Sequence, residues 1–472
     1  MIKLALPAGD LRSPTAELLE ASGLQVDGYD EGSRSYLFEI ESVGAVRVRV
    51  FREKDIPVQV ALGNYDLGIC SWAWVAELKS RFASYQIIPL FDLGLGASKL
   101  YAATSSEFAT LDDVASLSRV RIASEYPNIA EQFARGARMR AFRVQPVAGA
   151  AEAYPPEDAD LVLVSGSDEA NVRTHGLNPL FEVLRSSAWL IANRDSVSGK
   201  DLASVVRPLL ANAEGTVSER AIGLPTAVNS NGNERVRPTR LSIRMAVPDG
   251  HQQRHAASAL ADAGIQLDGY EDSPPRRRPG CSVDGLDVKV IRPQDMPHLI
   301  ATGELDIAIT GRDCLREHLY SFPSSPVEEV ADLQRGQYNL CAVVSEDVKV
   351  DTIGEAMAMW RSEGKPYVRI AAEFPATADH YARSRHIWRY RVIPIAGASE
   401  GFVPEDAELL IEGTETGRTL RENNLKSIDQ IYRSTTCVIA RKNPRLPEDH
   451  ASVFGNVVSA LQKAGSQADH SA

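Results

Sequence analysis

The sequence predicts an α/β protein made of two tandem bilobal units, each with mixed, mostly parallel sheets in two lobes. Three observations support this class: an internal repeat, an alternation of short apolar strands with amphipathic helices, and a length of 472 residues. A chain of this length is too long to fold around one ordinary hydrophobic core. Two units of roughly 200 residues each fit the usual size range of domains. Alternating strands and helices are typical of sheets that are covered by helices.

The repeat is defined by identical positions at two constant offsets. At an offset of 240 residues, the matches are Asp55-Ile56-Pro57 with Asp295-Met296-Pro297, Arg52 with Arg292, and Glu77 with Glu317. At an offset of 248 residues, the matches are Arg121-Ile122-Ala123 with Arg369-Ile370-Ala371, and Glu152 with Glu400. One insertion of eight residues near Trp360–Lys365 accounts for both offsets. Because self-similarity of this kind marks a repeat architecture, we interpret the chain as a tandem duplication.

The repeat divides the chain into units, and the order of elements divides each unit into lobes. We expect a first unit at 1–228 with its second lobe at about 93–178, and a second unit at 241–472 with its second lobe at about 333–426. The polar segment 229–240 contains glycine and proline and is predicted to be the linker.

The elements of the first unit follow from periodicity and end signals. Ile2–Leu6 is an apolar strand, and Thr15–Ser22 is a helix with an apolar stripe that ends at Gly23. The further predicted elements of the first lobe are the strand Val46–Phe51, the helix Ile56–Leu62 and the strand Leu67–Cys70. The second lobe is predicted to contain the strands Tyr101–Thr104 and Arg121–Ala123 and the helices Tyr126–Ala137 and Arg173–Gly176, before the returning strand Ala188–Ala192.

Composition excludes several classes of function. The formal net charge is −12, so a general nucleic-acid surface is not expected, although a small basic pocket for phosphates remains compatible. The five cysteines are scattered without a C-x-x-C pair, which argues against a structural zinc site or a disulfide framework. We see neither a signal-peptide pattern at Met1–Leu6 nor an apolar run long enough for a membrane span, and we expect a cytoplasmic protein.

The segment Glu412–Leu420 carries the clearest chemical signal. A strand is predicted before it and a short helix after it, an arrangement that directs backbone N–H groups at an anion. Gly417 permits close approach of a ligand, and Thr416 and Thr419 supply hydroxyl donors for phosphate oxygens. Carboxylates beside a phosphate site suit a sugar phosphate, because they can accept hydrogen bonds from its ribose hydroxyls. The alternative is an ordinary polar turn in which Glu and Thr cap a helix.

Both repeats resemble the catalytic unit of the ATP phosphoribosyltransferase family, which opens histidine biosynthesis. The resemblance covers about 1–215 and 241–460 and rests on an ordered set of motifs. These motifs are L-P-x-G, R-x-x-D-[IM]-P, G-x-D-x-L-x-E (Gly311, Asp313, Leu315, Glu317), E-Y-P-N (Glu125–Asn128), G-A-x-E and E-T-G-R-T-L-R-x-N-x-L.

The resemblance implies a fold similar to type II periplasmic binding proteins, with substrates in the cleft between lobes. It also implies phosphoribosyl pyrophosphate (PRPP) as donor, Mg²⁺ as cofactor, and a ring nitrogen of a purine nucleotide as acceptor. Short members of this family pair as dimers and work with a regulatory subunit similar to histidyl-tRNA synthetase. A tandem chain would therefore form an intramolecular pseudo-dimer.

The chain departs from the family pattern in two places. Family members begin L-P-K-G-R-L, whereas this chain has Asp10 in its first unit and Asp249 and His251 in its second. A carboxylate there repels polyphosphate, and Arg12 or Arg254 is the nearest substitute. The first unit also lacks the Thr-Gly-x-Thr core, since Ala159–Leu177 reads ADLVLVSGSDEANVRTHGL. We therefore expect a degenerate first unit and an intact PRPP loop in the second.

Several candidate residues have a structural alternative. Arg52 and Arg292 are expected to bind pyrophosphate or the acceptor phosphate, or else to pair with Asp66 and Asp306. Glu152 and Glu400 follow Gly-Ala turns, where they can orient ribose or polarise an acceptor N–H, or simply cap a helix. The segment Arg276–Arg278 is predicted to be an exposed loop, with a phosphate site as the less favoured reading.

These considerations give one hypothesis and one alternative. The hypothesis is transfer of ribose 5-phosphate from PRPP to a ring nitrogen of ATP or another nucleotide or heterocycle, with release of pyrophosphate. The alternative is a non-catalytic nucleotide-binding sensor or a regulatory pseudoenzyme. The predicted catalytic residues are Glu412, Glu415 and Glu400. The predicted substrate-binding residues are Thr416, Gly417, Arg418, Thr419, Arg292, Asp313, Glu373 and Arg254, with Arg52, Glu125 and Glu152 as first-unit equivalents and no metal held by protein ligands alone.

Overall fold

The computed structural model shows two α/β units in tandem. It describes residues 1–30, 35–40, 42–44, 46–82, 86–105, 107–215, 221–225, 242–397, 399–415, 417–444 and 446–468. The predicted linker 229–240 and the predicted site residue Thr416 lie outside the described residues. Within the described ranges, no helix combines the length and the apolar character that crossing a bilayer requires.

Strands and helices alternate through the first unit. In chain order they are β1 (Ile2–Pro7), α1 (Arg12–Ala21), β2 (Leu37–Ile40), β3 (Val46–Phe51), α2 (Ile56–Ala61), β4 (Leu67–Ser71), α3 (Trp72–Arg81), β5 (Ile87–Asp92), β6 (Ser98–Thr104), α4 (Leu111–Ala115), β7 (Val120–Ser124), α5 (Pro127–Gly136), β8 (Phe142–Pro146), β9 (Leu161–Gly166), α6 (Glu169–Thr174), β10 (Asn178–Ser186), β11 (Ala188–Asn193), α7 (Arg194–Gly199) and α8 (Ala203–Asn212).

The second unit repeats this order. Its elements are β12 (Ile243–Pro248), α9 (Gln253–Asp262), β13 (Leu267–Asp268), β14 (Gly280–Cys281), β15 (Leu286–Ile291), α10 (Met296–Thr302), β16 (Ile307–Gly311), α11 (Arg312–Ser321), β17 (Val327–Asp332), β18 (Tyr338–Ser345), α12 (Ile353–Ser362), β19 (Val368–Ala372), α13 (Pro375–Ser384), β20 (Tyr390–Pro394), β21 (Leu409–Thr414), α14 (Arg418–Glu422), β22 (Leu425–Ser434), β23 (Thr436–Arg441) and α15 (Glu448–Ala468).

Each unit contains two mixed sheets, one for each lobe. The first-lobe sheets have the orders β2-β3-β1-β4-β11-β5 and β15-β12-β16-β23-β17, and the second-lobe sheets have the orders β10-β6-β9-β7-β8 and β20-β19-β21-β18-β22. In each of these four sheets three adjacent strands run parallel, and the strands next to the lobe crossing are antiparallel. The short strands β13 and β14 form a separate antiparallel pair. The predicted α/β class with two bilobal units is therefore confirmed.

The parallel strands determine where the chemistry-bearing loops lie. Strands β1 and β12 are each flanked on both sides and become fully buried toward their carboxyl ends. Loops at the carboxyl ends of parallel strands meet at one edge of a sheet, which is where α/β proteins bind ligands. In each unit the carboxyl-terminal loops of both lobes thus border the cleft between the lobes.

The chain crosses between lobes twice in each unit. In the first unit it leaves after β5 and returns between β10 and β11. The return therefore follows Ser186, and in the second unit it follows Ser434, later than the predicted ends of the second lobes at about 178 and 426. The difference arises because β10 and β22 are long strands that pair with β6 and β18 along nearly their whole length.

The two units pack reciprocally, the first lobe of each against the second lobe of the other. Phe51 and Tyr65 of the first unit pack in one apolar cluster with Phe402 of the second, and the rings of Phe51 and Phe402 lie 5.0 Å apart. The Tyr65 hydroxyl donates to Asp406 Oδ2 at 2.7 Å. On the opposite side, the Tyr154 hydroxyl donates to Asp295 Oδ2 at 3.0 Å.

A buried ion-pair cluster reinforces one side of this contact. Lys289 Nζ of the second unit lies 2.6 Å from Asp158 and 2.7 Å from Glu157 of the first. Arg278 adds a contact to Glu157 at 2.8 Å. Although burial alone would raise it, Lys289 and Arg278 lower the pKa of Glu157 to about 2. The cluster keeps a negative and a positive group paired where water is largely excluded.

We predict that Lys289→Met destabilises the protein by about 3 kcal/mol or more, because it removes the nearer cation from the buried Asp158 carboxylate, whose other cationic contact is Arg244 at 3.4 Å. The side chains of Lys289 and Asp158 are only 6% and 2% exposed. The control is Arg135→Ala, which removes an exposed pair with Glu131 and should change stability by less than about 0.5 kcal/mol. Urea unfolding of both variants measures the difference, and equal stabilities for Lys289→Met and the wild type would contradict the prediction.

Candidate active site

The predicted PRPP loop connects β21 to α14 at the edge of the second cleft. Gly417 adopts a φ of 70°, which favours glycine, and it precedes the first residue of α14. Its N–H donates to Thr414 Oγ1 at 2.8 Å, so the turn is held from within. Glu415 is exposed, while Gly417 and Thr419 are half-buried. Glu415, Gly417 and Thr419 are therefore all at least partly accessible to solvent.

Two carboxylates and a hydroxyl lie together at the base of this loop. The Ser399 hydroxyl donates to Glu412 and lies 3.3 Å from Glu400 Oε2. The N–H of Gly413 also donates to Glu412 Oε1 at 2.9 Å. Strand β21 positions Glu412, and the turn after β20 positions Glu400, so two separate elements bring the pair together.

The pKa values of both carboxyl groups, Glu412 and Glu400, are raised. Burial, followed by the negative charge of Glu400, raises the pKa of Glu412 to about 8. Burial also raises the pKa of Glu400. Near neutral pH, Glu412 therefore holds a proton that an exposed glutamate would have lost. The protonated carboxyl group can donate a hydrogen bond, and the ionised carboxylate can accept one.

The first unit places an arginine against the turn that leads to Glu400. A Cβ on Gly397 would come within 3.3 Å of Arg52 Nε, so the Arg52 side chain lies directly against the turn that carries Glu400. Tyr36 lies on the same side, and burial followed by the charge of Glu400 raises its pKa. The suggested partner of Arg52, Asp66, instead accepts from Lys200 Nζ at 2.9 Å.

Arg292 lies on the other side of the molecule, contrary to the expected placement in the second cleft. Its Nη1 donates to Asp249 Oδ1 at 3.1 Å, and a Cβ on Gly149 of the first unit would come within 2.8 Å of its Nε. The reason is the reciprocal packing, which turns each D-x-P arginine toward the second lobe of the other unit. Arg52 thus borders the second cleft and Arg292 the first.

The first cleft contains the guanidinium group of Arg277, which is paired with two carboxylates of the protein. Arg277 Nε donates to Glu152 Oε1 at 2.7 Å, and its Nη1 donates to Asp249 Oδ2 at 2.8 Å. Glu125 is exposed nearby, with Lys54, Arg277 and Arg292 as the cations around it. Arg276 is exposed as predicted for its loop, but Arg277 is half-buried and Arg278 donates to the Ala153 carbonyl at 3.1 Å. The arginine loop is therefore an interface element.

The first-unit counterpart of the PRPP loop has a different local structure. Val164 stands at the position of Glu412, so the first cleft has no carboxylate pair. Asp168, at the position of Thr416, accepts from the N–H of Asn171 at 2.8 Å and caps α6. The turn is thus a side-chain-capped helix start, without the glycine turn seen at Gly417.

The other predicted residues of the second cleft have separate placements. Glu373 is exposed and accepts from Gln294 Nε2 at 3.3 Å, which brings the two lobes together at the cleft. Arg254 is exposed and its Nε contacts His255 Nε2 at 3.2 Å. Arg418 pairs with Glu422 at 2.7 Å along its own helix. Asp313 is buried and accepts from the Ser434 hydroxyl at 2.9 Å, at the point where the chain returns between lobes.

Sequence reasoning missed three residues of these sites. Tyr36 and Arg277 act on the other unit, and nothing in their own segments indicates which surface they contact. Ser399 directly precedes Glu400, and a hydroxyl beside a candidate carboxylate was a usable signal. Among the described residues, no group of three or more His, Cys, Asp and Glu side chains is arranged to hold a metal ion.

We predict that Glu412 makes stability depend on pH. Because its pKa is raised from 4.5 to about 8, the folded state holds a proton that the unfolded state has lost, and stability falls as pH rises across that window. Relative to Glu412→Gln, the wild type should lose about 1 kcal/mol or more between about pH 5 and about pH 8.5. Denaturant unfolding at both pH values measures this loss. Exposed Glu415→Gln should keep the wild-type slope, and an unchanged slope in Glu412→Gln would contradict the prediction.

One family model and several known proteins match this chain. The model of the family described as "HisG: ATP phosphoribosyltransferase" matches residues 52–214 and 292–463. The ATP phosphoribosyltransferase of Aquifex aeolicus (strain VF5) is 32% identical over 197 residues, covering 42% of this chain and 86% of that protein.

Solved structures also match. The ATP phosphoribosyl transferase (HisG:HisZ) complex from Thermotoga maritima matches at 22% identity and a TM-score of 0.38, over 48% of this chain and 98% of that chain. The alkanesulfonate-binding protein SsuA from Xanthomonas axonopodis pv. citri bound to MOPS matches at 10% identity and a TM-score of 0.32, over 50% of this chain and 74% of that chain. Since the family model matches more than half of the residues, in both repeats, the chain belongs to the ATP phosphoribosyltransferase family, a family of pentosyltransferase enzymes.

Proposed function

We propose that the second cleft transfers ribose 5-phosphate from PRPP to a ring nitrogen of ATP or of another nucleotide or heterocycle. The observation that carries this proposal is the pairing of Glu412 with Glu400 through Ser399, together with the position of Arg52 against the Gly397 turn that precedes Glu400. It combines acceptors for ribose hydroxyls with a cation for the leaving group. Membership of the ATP phosphoribosyltransferase family supports the same reaction class.

In this proposal each group has one task. The loop from Glu412 to Thr419 holds the 5-phosphate and the ribose, with Gly417 allowing the backbone to approach. The bond between the anomeric carbon and pyrophosphate breaks, the acceptor nitrogen forms the new bond with inversion, and Arg52 stabilises the departing negative charge. Transfers of this kind depend on positioning and charge stabilisation more than on a strong base. The acceptor ring gains a positive charge when its nitrogen forms the new bond, and the proton that the ring then releases would pass to the Glu400–Glu412 pair.

Magnesium is proposed to enter with PRPP. Mg²⁺ prefers oxygen ligands and usually binds through one or two carboxylates together with substrate phosphates. The exposed carboxylates Glu373 and Glu415 border the second cleft and fit that donor chemistry. The ion would offset the negative charge of pyrophosphate as it leaves. A regulatory subunit similar to histidyl-tRNA synthetase, which the family resemblance implies, remains a proposed partner.

The first cleft is proposed to be non-catalytic. Its loop has Val164 in place of a carboxylate, and Arg277 already neutralises Glu152. The first unit would contribute to catalysis by supplying Arg52 and Tyr36 to the cleft of the second.

One observation favours the alternative, a nucleotide-binding sensor or pseudoenzyme. Asp249 in the first turn of the second unit stands where the family pattern has a lysine, and it is buried and paired with Arg277 and Arg292, so this turn carries a carboxylate in place of a cation for polyphosphate. Measuring pyrophosphate release from PRPP with a panel of nucleotides and small heterocycles separates the two functions. Release with one acceptor supports the transferase, and tight binding without turnover supports the sensor.

We predict that the wild type binds magnesium–PRPP and that Thr419→Ala weakens this binding by about tenfold, because one hydroxyl donor to the phosphate is lost. The matched control is Asn171→Ala, at the equivalent position of the first unit, which should leave the affinity unchanged. Isothermal titration measures both. Absence of binding to the wild type, or equal affinities for wild type and Thr419→Ala, would count against the proposed function.

A further inference from the structure

A carboxylate links the two lobes of the second unit at the floor of the cleft. Glu317 lies on α11, which follows a first-lobe strand, and its oxygens reach the start of α13, which follows a second-lobe strand. Glu317 Oε1 accepts from the Ala376 N–H at 2.8 Å, and Oε2 accepts from the Thr377 N–H and hydroxyl, each at 2.8 Å. Three donors of one lobe thus converge on one carboxylate of the other.

The same contact exists in the first unit. Glu77, at the equivalent position, accepts from the Asn128 N–H at 2.9 Å, from Asn128 Nδ2 at 2.6 Å and from the Ile129 N–H at 2.9 Å. The sequence repeat had identified Glu77 and Glu317 as a matched pair, and the family motif ended on Glu317, but neither residue belongs to the proposed catalytic set. The duplication therefore provides two copies of one interlobe bond.

Hydrogen bonds from the start of a helix to a carboxylate are stronger than an ordinary surface contact, for two reasons. The first N–H groups of a helix have no partner within the helix, and the positive end of the helix favours a negative charge there. Hydrogen bonds to an ionised carboxylate are also shorter and stronger than neutral ones. A stacked contact between Tyr320 on α11 and His380 on α13, with ring centroids 4.1 Å apart, adds a second link between the same helices.

The position of the bond connects it to the cleft. Helix α13 begins at Pro375, two residues after Glu373, so whatever fixes the start of α13 also fixes the Glu373 backbone. Glu373 itself is reached by Gln294 of the first lobe at 3.3 Å. Loss of the Glu317 contact would therefore let the two lobes separate. It would also leave the Glu373 backbone less firmly held.

We propose that Glu317 is an interlobe positioning residue, which holds the second cleft closed and sets Glu373 for the transfer. This inference rests on the proposed function of the second cleft. Glu77 makes the same bond across the first cleft, where no transfer takes place, so it contributes to folding alone. The two residues accept from equivalent backbone N–H groups, and they differ in their third donor and in what their cleft does.

The test compares Glu317→Gln with Glu77→Gln. Each change keeps side-chain size but turns an NH₂ donor toward N–H donors, so both variants should lose a similar amount of thermal stability. We expect kcat/KM for PRPP to fall by about tenfold or more in Glu317→Gln and by less than about twofold in Glu77→Gln. A role in stability alone would lower activity equally in the two variants, and that result, or an unchanged kcat/KM in Glu317→Gln, would overturn the proposal.

A milder variant guards against loss of folding. Thr377→Val removes only the hydroxyl donor and places a β-branched apolar side chain where the first unit has Ile129. It should lower kcat/KM in the same direction as Glu317→Gln, by a smaller factor. A Thr377→Val enzyme with unchanged kcat/KM, alongside an inactive but folded Glu317→Gln, would also contradict the positioning role.

Hydrogen exchange separates this inference from the proposed function. If the wild type neither binds nor consumes PRPP, the proposed function fails, and exchange in the ligand-free protein still tests the bond. Glu317→Gln should speed exchange at the Ala376 and Thr377 amides by about tenfold and leave Asn128 and Ile129 unchanged. Unchanged exchange at Ala376 and Thr377 would show that Glu317 does not hold the lobes together.

Discussion

In each unit, the aspartate of the D-x-P turn accepts a backbone N–H from the second lobe of the other unit. Asp55 accepts from Ala396 at 2.9 Å, and Asp295 accepts from Ala148 at 3.0 Å. Burial raises the pKa of both aspartates to about 6, so each is enclosed by the contact that it makes. This reciprocal bond fixes the D-x-P turn of one unit against the Gly-Ala turn of the other, and the composition of both clefts follows from it.

The consequence is that two sequence-equivalent clefts have different contents. Arg52 lies against the turn that carries Glu400, and the Glu400–Glu412 carboxyl pair has no counterpart in the first unit, where Val164 stands at the position of Glu412. In the first cleft Arg277 bridges Glu152 and Asp249, so the carboxylate equivalent to Glu400 is already paired. The two clefts therefore differ in their charged groups, while both are bordered by the same reciprocal packing of the units.

Much of this could be predicted from the sequence, because the repeat constrains the fold at many positions at once. Constant offsets predicted two units, and periodicity predicted strands such as Val46–Phe51, which the structure shows with the same bounds. The lobe boundaries were less accurate, since a long strand that stays in the second lobe has the same pattern as one that returns. Glu400 and Glu412, which lie 12 residues apart in the sequence, are brought together through Ser399.

What the sequence could not supply is which unit a side chain faces. Arg52 and Arg292 occupy equivalent positions in identical motifs, and only the packing of the units shows that each points to the opposite cleft. Asp313 belongs to a motif shared with the family, yet its carboxylate is used by Ser434 where the lobes join. For the same reason the Arg276–Arg278 loop was predicted to be exposed, because its partners Glu152, Glu157 and Asp249 are remote in sequence.

The central claim is that the working cleft of the second unit takes its arginine from the first. Pyrophosphate release from magnesium–PRPP, measured for Arg52→Ala and for Arg292→Ala, tests it most directly. The account predicts that Arg52→Ala lowers kcat by about a hundredfold, as loss of a charge-stabilising donor does, and that Arg292→Ala acts only through stability. A large loss in Arg292→Ala together with normal turnover in Arg52→Ala would show that each cleft uses its own arginine.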